Sequence, residues 1–370
     1  MGYFLPDENL KYQSEDRSLL TKYFLKKFWV KFETIFPVWM APNMVTLSGL
    51  IFIIISDLLV FYYDPDFNVA SPKWCYFAYA LSLFLYQTFD ACDGIHARRT
   101  QQSGPLGELF DHCIDAINTT LSIFLFASSA GLGKSWLLIA SQFATLMNFY
   151  LSTWEEFYTH KLFLSEFSGP VEGIFMLMTL FIATGLTDTQ TVWKNEIFGY
   201  SYTFYLCTFG GVFLFFNIYS AKRNVDQYLS KTGQKHNLIK TLSPFFLYYG
   251  CVYLLLFLHN DIVYTYATQM MLSIGSTIAF TVGRIIVAHL TKQDFPMFNF
   301  PMLTPIFQIV FISLLTQVFS FDYDEALKLV VYSGMGLTFG IHACFIIDII
   351  HSITKYLDIY ALTIKHQKVF

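Results

Sequence analysis

The chain has 370 residues, and its 23 Lys and Arg against 27 Asp and Glu give a formal net charge of −4. Only 14% of the residues are charged and 55% are hydrophobic, with a mean hydropathy of +0.47. Since roughly a quarter of the residues in a soluble domain are charged, this composition indicates a chain that largely faces lipid. It excludes a disordered chain, a disulfide-stapled secreted scaffold and a basic nucleic-acid-binding protein.

The first 42 residues mix acids, lysines and aromatic residues. They lack the continuous apolar stretch of a cleavable signal peptide. Within residues 22–39, four phenylalanines recur at intervals of four among lysines, namely Phe24, Phe28, Phe32 and Phe36. This spacing predicts an amphipathic helix on the lipid surface, and a solvated helix docked on the protein is the alternative.

Ten apolar runs follow, and about 20 apolar residues are needed to cross the roughly 30 Å of hydrocarbon in a bilayer. They lie near residues 43–63, 74–94, 108–130, 135–154, 171–186, 200–220, 243–259, 263–289, 302–321 and 328–350. Because backbone groups find no water in lipid, and because the runs are unbroken rather than alternating, helices are favoured over a barrel. The sequence predicts an all-α polytopic membrane protein with about ten transmembrane helices.

The basic residues support this count, because short cytoplasmic loops retain Lys and Arg. With ten spans and a cytoplasmic N-terminus, 18 of the 23 Lys and Arg residues lie on the cytoplasmic side, and Arg284 lies within a helix. The other four lie opposite, namely Lys73, Lys134, Lys194 and Lys328. We therefore expect both ends of the chain in the cytoplasm.

The second and third runs carry a dense set of acids, which are costly at membrane depth and mark functional sites by default. These acids are Asp90 and Asp93 on the second run, and Glu108, Asp111 and Asp115 on the third. At 100° per residue, the acids of each helix share one face. The short link at residues 103–105 makes the two helices antiparallel neighbours, so their acidic faces can meet.

Converging carboxylates repel one another in a low dielectric, and a divalent cation relieves that repulsion. Hard oxygen ligands without cysteine favour Mg²⁺ or Mn²⁺, with Ca²⁺ as a further option, and the site has ligands for two ions. The small residues Gly94, Ala97 and Gly107 leave room for a polyphosphate, and Arg98 can clamp it. The alternative is a network of structural ion pairs, but Arg98 and Arg99 cannot neutralise five acids.

The acidic segment fits the pattern D-x2-D-G-x2-A-R-x8-G-x3-D-x3-D at every fixed position. Those positions are Asp90, Asp93, Gly94, Ala97, Arg98, Gly107, Asp111 and Asp115. This pattern resembles the signature of the CDP-alcohol phosphotransferases. The similarity continues through residues 41–43, 104–112 and 152–156, and over nearly the whole chain it is to the fungal ethanolamine and choline phosphotransferases.

The resemblance implies an activity and a set of ligands. The four aspartates would hold divalent cations, Mg²⁺ above all, that bridge the diphosphate of CDP-ethanolamine or CDP-choline. The hydroxyl of diacylglycerol would attack the phosphorus that bears the amino alcohol, and CMP would leave. Expected rivals are a family member with another acceptor, and a cation-coupled transporter whose acids line an ion path.

The attacking hydroxyl needs a general base. Glu108 and His112 lie four residues apart, so that the carboxylate can orient the imidazole while the ring accepts the proton. The resemblance implies such a Glu and His pair. Asp115 is the competing assignment, although a carboxylate bound to metal is a poorer proton acceptor.

Further candidates lie outside the motif. Asn43 follows Pro42 where a helix begins, and free N–H groups there favour contact with the CDP moiety, a helix cap being the alternative. Trp154, Glu155 and Glu156 together suit an ammonium headgroup, or belong to an interfacial aromatic belt. Glu172 is a similar headgroup candidate.

The remaining polar residues within spans are assigned to helix packing. They are Asp57, Arg284, His289, His342 and Asp348. The six cysteines show no CxxC spacing and indicate small apolar side chains rather than metal ligands. They are Cys75, Cys92, Cys113, Cys207, Cys251 and Cys344.

The predicted division of the chain has five parts. These are a cytoplasmic N-terminal segment (1–42), catalytic helices (43–220), a cytoplasmic loop (221–242), C-terminal helices (243–352) and a cytoplasmic tail (353–370). The C-terminal helices are expected to form a lipid chamber or the seam of a homodimer. The lipid acceptor indicates the endoplasmic reticulum membrane, with the Golgi as an alternative, and an active site that faces the cytoplasm.

Overall fold

The structure is a computed structural model that describes residues 14–16, 18–164, 169–187, 189–233 and 238–365. Residues 1–13 and 17 of the predicted N-terminal segment lie outside this description. So do residues 234–237 of the predicted loop and residues 366–370 of the predicted tail.

Within these ranges the chain is almost entirely helical. The α-helices are α1 (Lys26–Glu33), α2 (Pro42–Tyr63), α3 (Lys73–Arg99), α4 (Pro105–Ala130), α5 (Trp136–Thr159), α6 (Pro170–Leu186), α7 (Tyr202–Thr232), α8 (Leu238–Leu258), α9 (Asp261–Thr265), α10 (Ala267–Leu290), α11 (Thr304–Ser313) and α12 (Tyr323–Leu357). Single turns of 3₁₀- or π-helix add Thr21–Leu25, Thr189–Lys194, Phe300–Leu303 and Leu314–Val318. Strand β1 (Ser14–Asp16) pairs in parallel with β2 (Leu162–Leu164), and β3 (Glu196–Ile197) pairs antiparallel with β4 (Tyr200–Ser201).

Each of the ten predicted apolar runs overlaps one or more helices, and the chain is consistent with a polytopic membrane protein. Among the described residues, seven helical stretches are long and apolar enough to cross a bilayer: α2, α4, α7, α8, α10, Phe300–Val318 and α12. Helix α6 is apolar but shorter. Helices α3 and α5 have 27 and 24 residues and carry more polar side chains.

Three of these helices begin at a proline, which fits the first helical position because its missing N–H would have no partner there. The prolines are Pro42 in α2, Pro105 in α4 and Pro170 in α6. Pro42 and Pro105 mark the starts of α2 and α4. Both starts lie at the end of the helical bundle where α3 ends. We call this the site end.

Helix α10 lies at the centre and packs against α4, α5 and α12. A glycine permits its close approach to α4, because a Cβ atom at Gly275 would lie 2.2 Å from Oγ1 of Thr120. Helix α2 packs against α3 and α4, which brings the three helices that carry the acidic motif and Asn43 together.

The predicted phenylalanine stripe of α1 faces the protein over most of its length. Phe28 stacks on Phe84 of α3 with ring centroids 5.8 Å apart, and Phe36 meets Phe89 at 5.1 Å. Phe24 is 72% exposed and lies one turn before this contact. Phenylalanines that the sequence assigns to the lipid surface therefore pack against the apolar side of α3. This arrangement agrees with the alternative of a helix docked on the protein.

The predicted loop at residues 221–242 is mostly helical. Helix α7 continues to Thr232, and α8 begins at Leu238. The charged residues Lys222 and Arg223 end the apolar run but do not end the helix, because both are good helix formers.

Candidate active site

The acids of the motif converge where α3 and α4 meet α2. One carboxylate oxygen from each of Asp90, Asp93 and Asp111 lies within 4.8 Å of the others. Asp90 and Asp93 are about one turn apart and share a face of α3, and Asp111 lies in the second turn of α4. The predicted meeting of the two acidic faces is therefore present for three of the four aspartates.

Two neighbouring hydroxyl groups orient the acids. Oγ1 of Thr46, on α2, donates to Oδ2 of Asp93 at 2.5 Å. The hydroxyl of Tyr86, one turn before Asp90 on α3, donates to Oδ1 of Asp115. Asp115 thus borders the group of three. The sequence analysis did not single out Thr46 or Tyr86, although each lies a helical turn from a residue that it did single out.

The donor set fits a hard divalent cation. Oδ1 of Asp90 and Oδ1 of Asp111 are buried and accept no hydrogen bond from any described residue. Buried carboxylate oxygens are rarely left without a partner unless a cation or water completes the site. Oxygen-only ligands favour Mg²⁺ or Mn²⁺ over softer metals.

The small residues of the motif line the space beside these acids. Nη1 of Arg98 lies 3.5 Å from the place that a Cβ atom would take at Gly94, so the guanidinium folds back along α3 toward Asp93. On the α4 side, the Cβ position of Gly107 lies 3.9 Å from Oδ1 of Asn43. Ala97 is half-buried one residue before Arg98.

Asn43 is buried, and its side chain contacts the C-terminal part of the chain. Its Nδ2 atom donates to the carbonyl of Ala361 at 3.0 Å. Residues 359–365 form a segment that we call the C-terminal strap. In this segment Thr363 pairs with Met40, and the N–H of Ile364 donates to the Trp39 carbonyl. A cavity of ≈ 40 Å³ lies between the strap, Asn43 and Gly107.

His112, the predicted general base, lies against a different carboxylate from the one expected. Nε2 of His112 lies 3.1 Å from Oε2 of Glu156, on α5, and both side chains are almost fully buried. Glu108 instead lies 3.9 Å from Nε2 of His289, on α10. The structure thus places Glu156, not Glu108, against His112, because α5 and α10 each bring a polar side chain to α4.

His289, which the sequence analysis assigned to packing, therefore borders the site. Its ring stacks on that of His160 with centroids 5.1 Å apart. His160 ends α5 in a left-handed conformation. Burial and the positive charge of Lys292 hold the pKa of His160 below its ordinary value.

The predicted headgroup residues do not share one pocket. Trp154 is buried and its Nε1 donates to Oγ1 of Thr241 at 3.0 Å. Glu155 accepts from Nδ2 of Asn224 at 2.7 Å, so that of the three only Glu156 reaches His112. Consecutive helical residues point about 100° apart, and this separates them.

Two other residues have contacts of a structural kind. Oε1 of Glu172, on α6, accepts from Oγ of Ser18 at 2.6 Å and so ties the N-terminal segment to α6. Nη1 of Arg284 donates to the carbonyl of Phe298 at 3.0 Å, as expected for a residue that supports packing.

Comparisons with known proteins agree with this geometry. Residues 39–206 match the family model described as CDP-alcohol phosphatidyltransferase. The chain is 53% identical to choline/ethanolaminephosphotransferase 1 of Saccharomyces cerevisiae and 48% identical to cholinephosphotransferase 1 of the same yeast, with all of each chain covered. It is 32% identical to choline/ethanolaminephosphotransferase 1 of Arabidopsis thaliana, with 97% of this chain and 96% of the relative covered. The chain therefore belongs to the CDP-alcohol phosphatidyltransferase family.

Proposed function

We propose that this protein transfers phosphoethanolamine, phosphocholine or both from the corresponding CDP-linked donor, CDP-ethanolamine or CDP-choline, to 1,2-diacylglycerol, giving the phospholipid and CMP. The observation that carries the proposal is a group of three half-buried aspartates, with one carboxylate oxygen of each within 4.8 Å of the others, close to the buried pair of His112 and Glu156. The full-length similarity to yeast enzymes named for this activity supports it.

Asp90, Asp93 and Asp111 would hold divalent cations, two Mg²⁺ ions with Mn²⁺ as an alternative, and Asp115 would complete the ligand set. Cations bound there would supply positive charge that stabilises the diphosphate during transfer. Arg98 contacts the donor phosphates, while Asn43 binds the CDP moiety. Gly94, Ala97 and Gly107 leave space for it.

His112 accepts the proton of the diacylglycerol hydroxyl, and the Glu156 carboxylate stabilises the imidazolium that forms. Asp115 is a weaker candidate for the base, because the Tyr86 hydroxyl already donates to it. Oε1 of Glu108 instead lies 3.9 Å from Nε2 of His289. Among the headgroup candidates, Glu156 is the one that lies against His112. The side chains of Trp154, Glu155 and Glu172 are instead hydrogen-bonded to Thr241, Asn224 and Ser18, respectively.

In the membrane, each of the ten apolar runs would span the bilayer, and α1 would lie at the surface. The distribution of lysine and arginine indicates that the site end would face the cytoplasm. Residues 43–220 would form the catalytic part, and residues 243–352 a lipid chamber or homodimer seam. The acceptor lipid places the enzyme in the endoplasmic reticulum, with the Golgi as an alternative. The exposed Leu329, Phe339 and Ile347 on α12 suit lipid or a second copy of this chain.

The test is CMP release by purified protein in micelles that contain diacylglycerol and Mg²⁺, with each CDP donor supplied separately. Turnover with either donor, lost in Asp111→Ala and His112→Ala, supports the proposal, and the ratio of rates gives headgroup preference. If diacylglycerol is inert while another alcohol acceptor releases CMP, the rival acceptor is correct. If no CMP forms with any acceptor, cation flux through reconstituted vesicles tests the transporter.

A further inference from the structure

A buried polar cluster joins α1 to the end of α3, outside the acidic motif. It consists of Glu33, His96 and Arg99, and we call it the Glu33 cluster. Oε1 of Glu33 accepts from Nε of Arg99 at 2.6 Å and lies 2.7 Å from Nδ1 of His96. The Glu33 and His96 side chains are 2% and 0% exposed, whereas the Arg99 side chain is 34% exposed at the edge of the cluster. The Glu33 carboxylate is therefore shielded from solvent, and charge interactions are stronger in such a buried setting than at a wet surface.

The cluster also contacts the backbone of the segment between α1 and α2. Nη2 of Arg99 donates to the carbonyl of Phe36 at 2.6 Å. Nε2 of His96 lies 2.9 Å from the carbonyl of Met40. The segment that leads into Asn43 is therefore fixed onto the last turn of α3 at two points.

Both contacts bear on the two side chains that we assign to the CDP donor. Arg98 directly precedes Arg99, and successive helical residues point about 100° apart, so anchoring Arg99 to α1 sets the direction in which Arg98 leaves α3. Met40 lies three residues before Asn43 at the start of α2. One cluster thus determines where Arg98 and Asn43 lie relative to each other.

We propose that Glu33 is a positioning residue for the CDP-linked donor, acting through Arg99 and His96 on Arg98 and Asn43. The inference rests on the proposed function, because it takes Arg98 and Asn43 as donor contacts. Glu33 itself touches none of the motif acids in the contacts described above. Its effect is therefore expected on donor binding rather than on the chemical step.

The Glu33→Gln variant keeps the size of the side chain and removes the charge that holds Arg99. We expect KM for both CDP donors to rise about tenfold, with kcat and KM for diacylglycerol unchanged, since a misplaced binding group weakens ground and transition states equally. Glu33→Asp retains the charge and gives a smaller rise. Lys31→Gln, which removes a charge from the exposed face of the same helix, leaves all three constants unchanged.

Arg99→Lys is the second variant, in case Glu33→Gln does not fold. It keeps the positive charge but loses the planar fork that reaches Glu33 and Phe36 together, so it also raises donor KM. A loss of folded protein would instead lower apparent kcat and leave both KM values alone. An unchanged donor KM in a folded Glu33→Gln or Arg99→Lys protein overturns the proposal.

Equilibrium binding of CDP-choline to detergent-purified protein separates this inference from the proposed function. Absence of CMP release by the wild type argues against the function. Weaker CDP-choline binding by Glu33→Gln than by wild type still supports the positioning role in that case. Equal binding by the two proteins contradicts it, whatever the turnover.

Discussion

Nε2 of His112 lies 3.1 Å from Oε2 of Glu156, across the contact between α4 and α5. His112 follows directly after Asp111, whose carboxylate belongs to the acidic group. The proposed proton acceptor and a ligand of the proposed cation site thus lie on one turn of α4, while the carboxylate next to the proton acceptor comes from another helix. Movement between α4 and α5 would separate the base from its partner without disturbing the aspartates.

This arrangement predicts that Glu156→Gln and His112→Ala each lower kcat by about 10²- to 10⁴-fold, the usual value of a general base. The double variant is expected to be little worse than either single variant, because the two residues act as one unit. CMP release at saturating donor and acceptor measures the effect.

Glu108→Gln is the matched control, since Glu108 is a buried carboxylate on the same helix that faces His289 instead. Its effect on kcat should be smaller than that of Glu156→Gln. A larger loss of kcat in Glu108→Gln than in Glu156→Gln would instead favour the pairing of Glu108 with His112 that the four-residue spacing predicts.

A second prediction concerns the cation site. Chelation should abolish CMP release, and Mg²⁺ or Mn²⁺ should restore it, because buried oxygen ligands favour hard cations. Asp111→Asn should raise the Mg²⁺ concentration for half-maximal activity about 10- to 100-fold, since it removes a charged ligand.

Tyr86→Phe serves as the comparison for the metal titration. It removes the hydroxyl that donates to Asp115 and leaves the Asp90, Asp93 and Asp111 group intact. Because Tyr86 only orients Asp115, the proposed fourth ligand, the Mg²⁺ requirement of Tyr86→Phe should rise by less than that of Asp111→Asn. A shift as large as that of Asp111→Asn would make Asp115 an equal member of the ligand set.

A third prediction concerns the contact between α4 and α10. Gly275→Ala should destabilise the fold by about 1–3 kcal/mol, the cost of overpacking a core, because the new Cβ would overlap Thr120. The melting temperature of the purified protein in detergent reports the change. Adding Thr120→Ala removes the two closest atoms and should recover part of the loss. Gly250→Ala, where a Cβ meets nothing within 4 Å, is the control.

A fourth prediction concerns pH. The pKa of His160 lies below its ordinary value of 6.5, through burial and the charge of Lys292. The unfolded chain therefore binds a proton more readily than the folded chain, and the contribution of His160 to stability falls as the pH drops below about 6.5. Melting temperatures between about pH 7 and pH 5 should show a smaller acid-induced decrease in His160→Gln than in the wild type.

The exposed His351 provides the comparison for the pH series. His351→Gln should leave the acid-induced decrease in melting temperature as it is in the wild type. If the melting temperature falls equally with decreasing pH in His160→Gln and in the wild type, the pKa of His160 does not change on unfolding.

The helices and the acidic motif could be predicted from sequence because both depend on local spacing. Unbroken apolar runs mark helices, and Asp90 and Asp93 share a face because three residues nearly complete a turn. The different contacts of Trp154, Glu155 and Glu156 also agree with this geometry, since adjacent helical residues point about 100° apart.

The contacts that complete the site could not be predicted in this way. Glu33 reaches Arg99 across 66 positions, and Asn43 reaches Ala361 across 318. No periodicity within one helix indicates which side chain on a distant helix will face it. The pairing of His112 with Glu156 depends on how α4 and α5 pack, which only the three-dimensional structure reveals.

The C-terminal strap has a consequence for how the protein is made. Ala361, Thr363 and Ile364 follow α12 in the chain, yet they contact Asn43, Met40 and Trp39 at and just before the start of α2. The start of α2 therefore acquires these partners only after α12 has been synthesised. A nascent chain that stops before α12 has its acidic motif in place but lacks the carbonyl that Asn43 contacts, so donor binding should mature last.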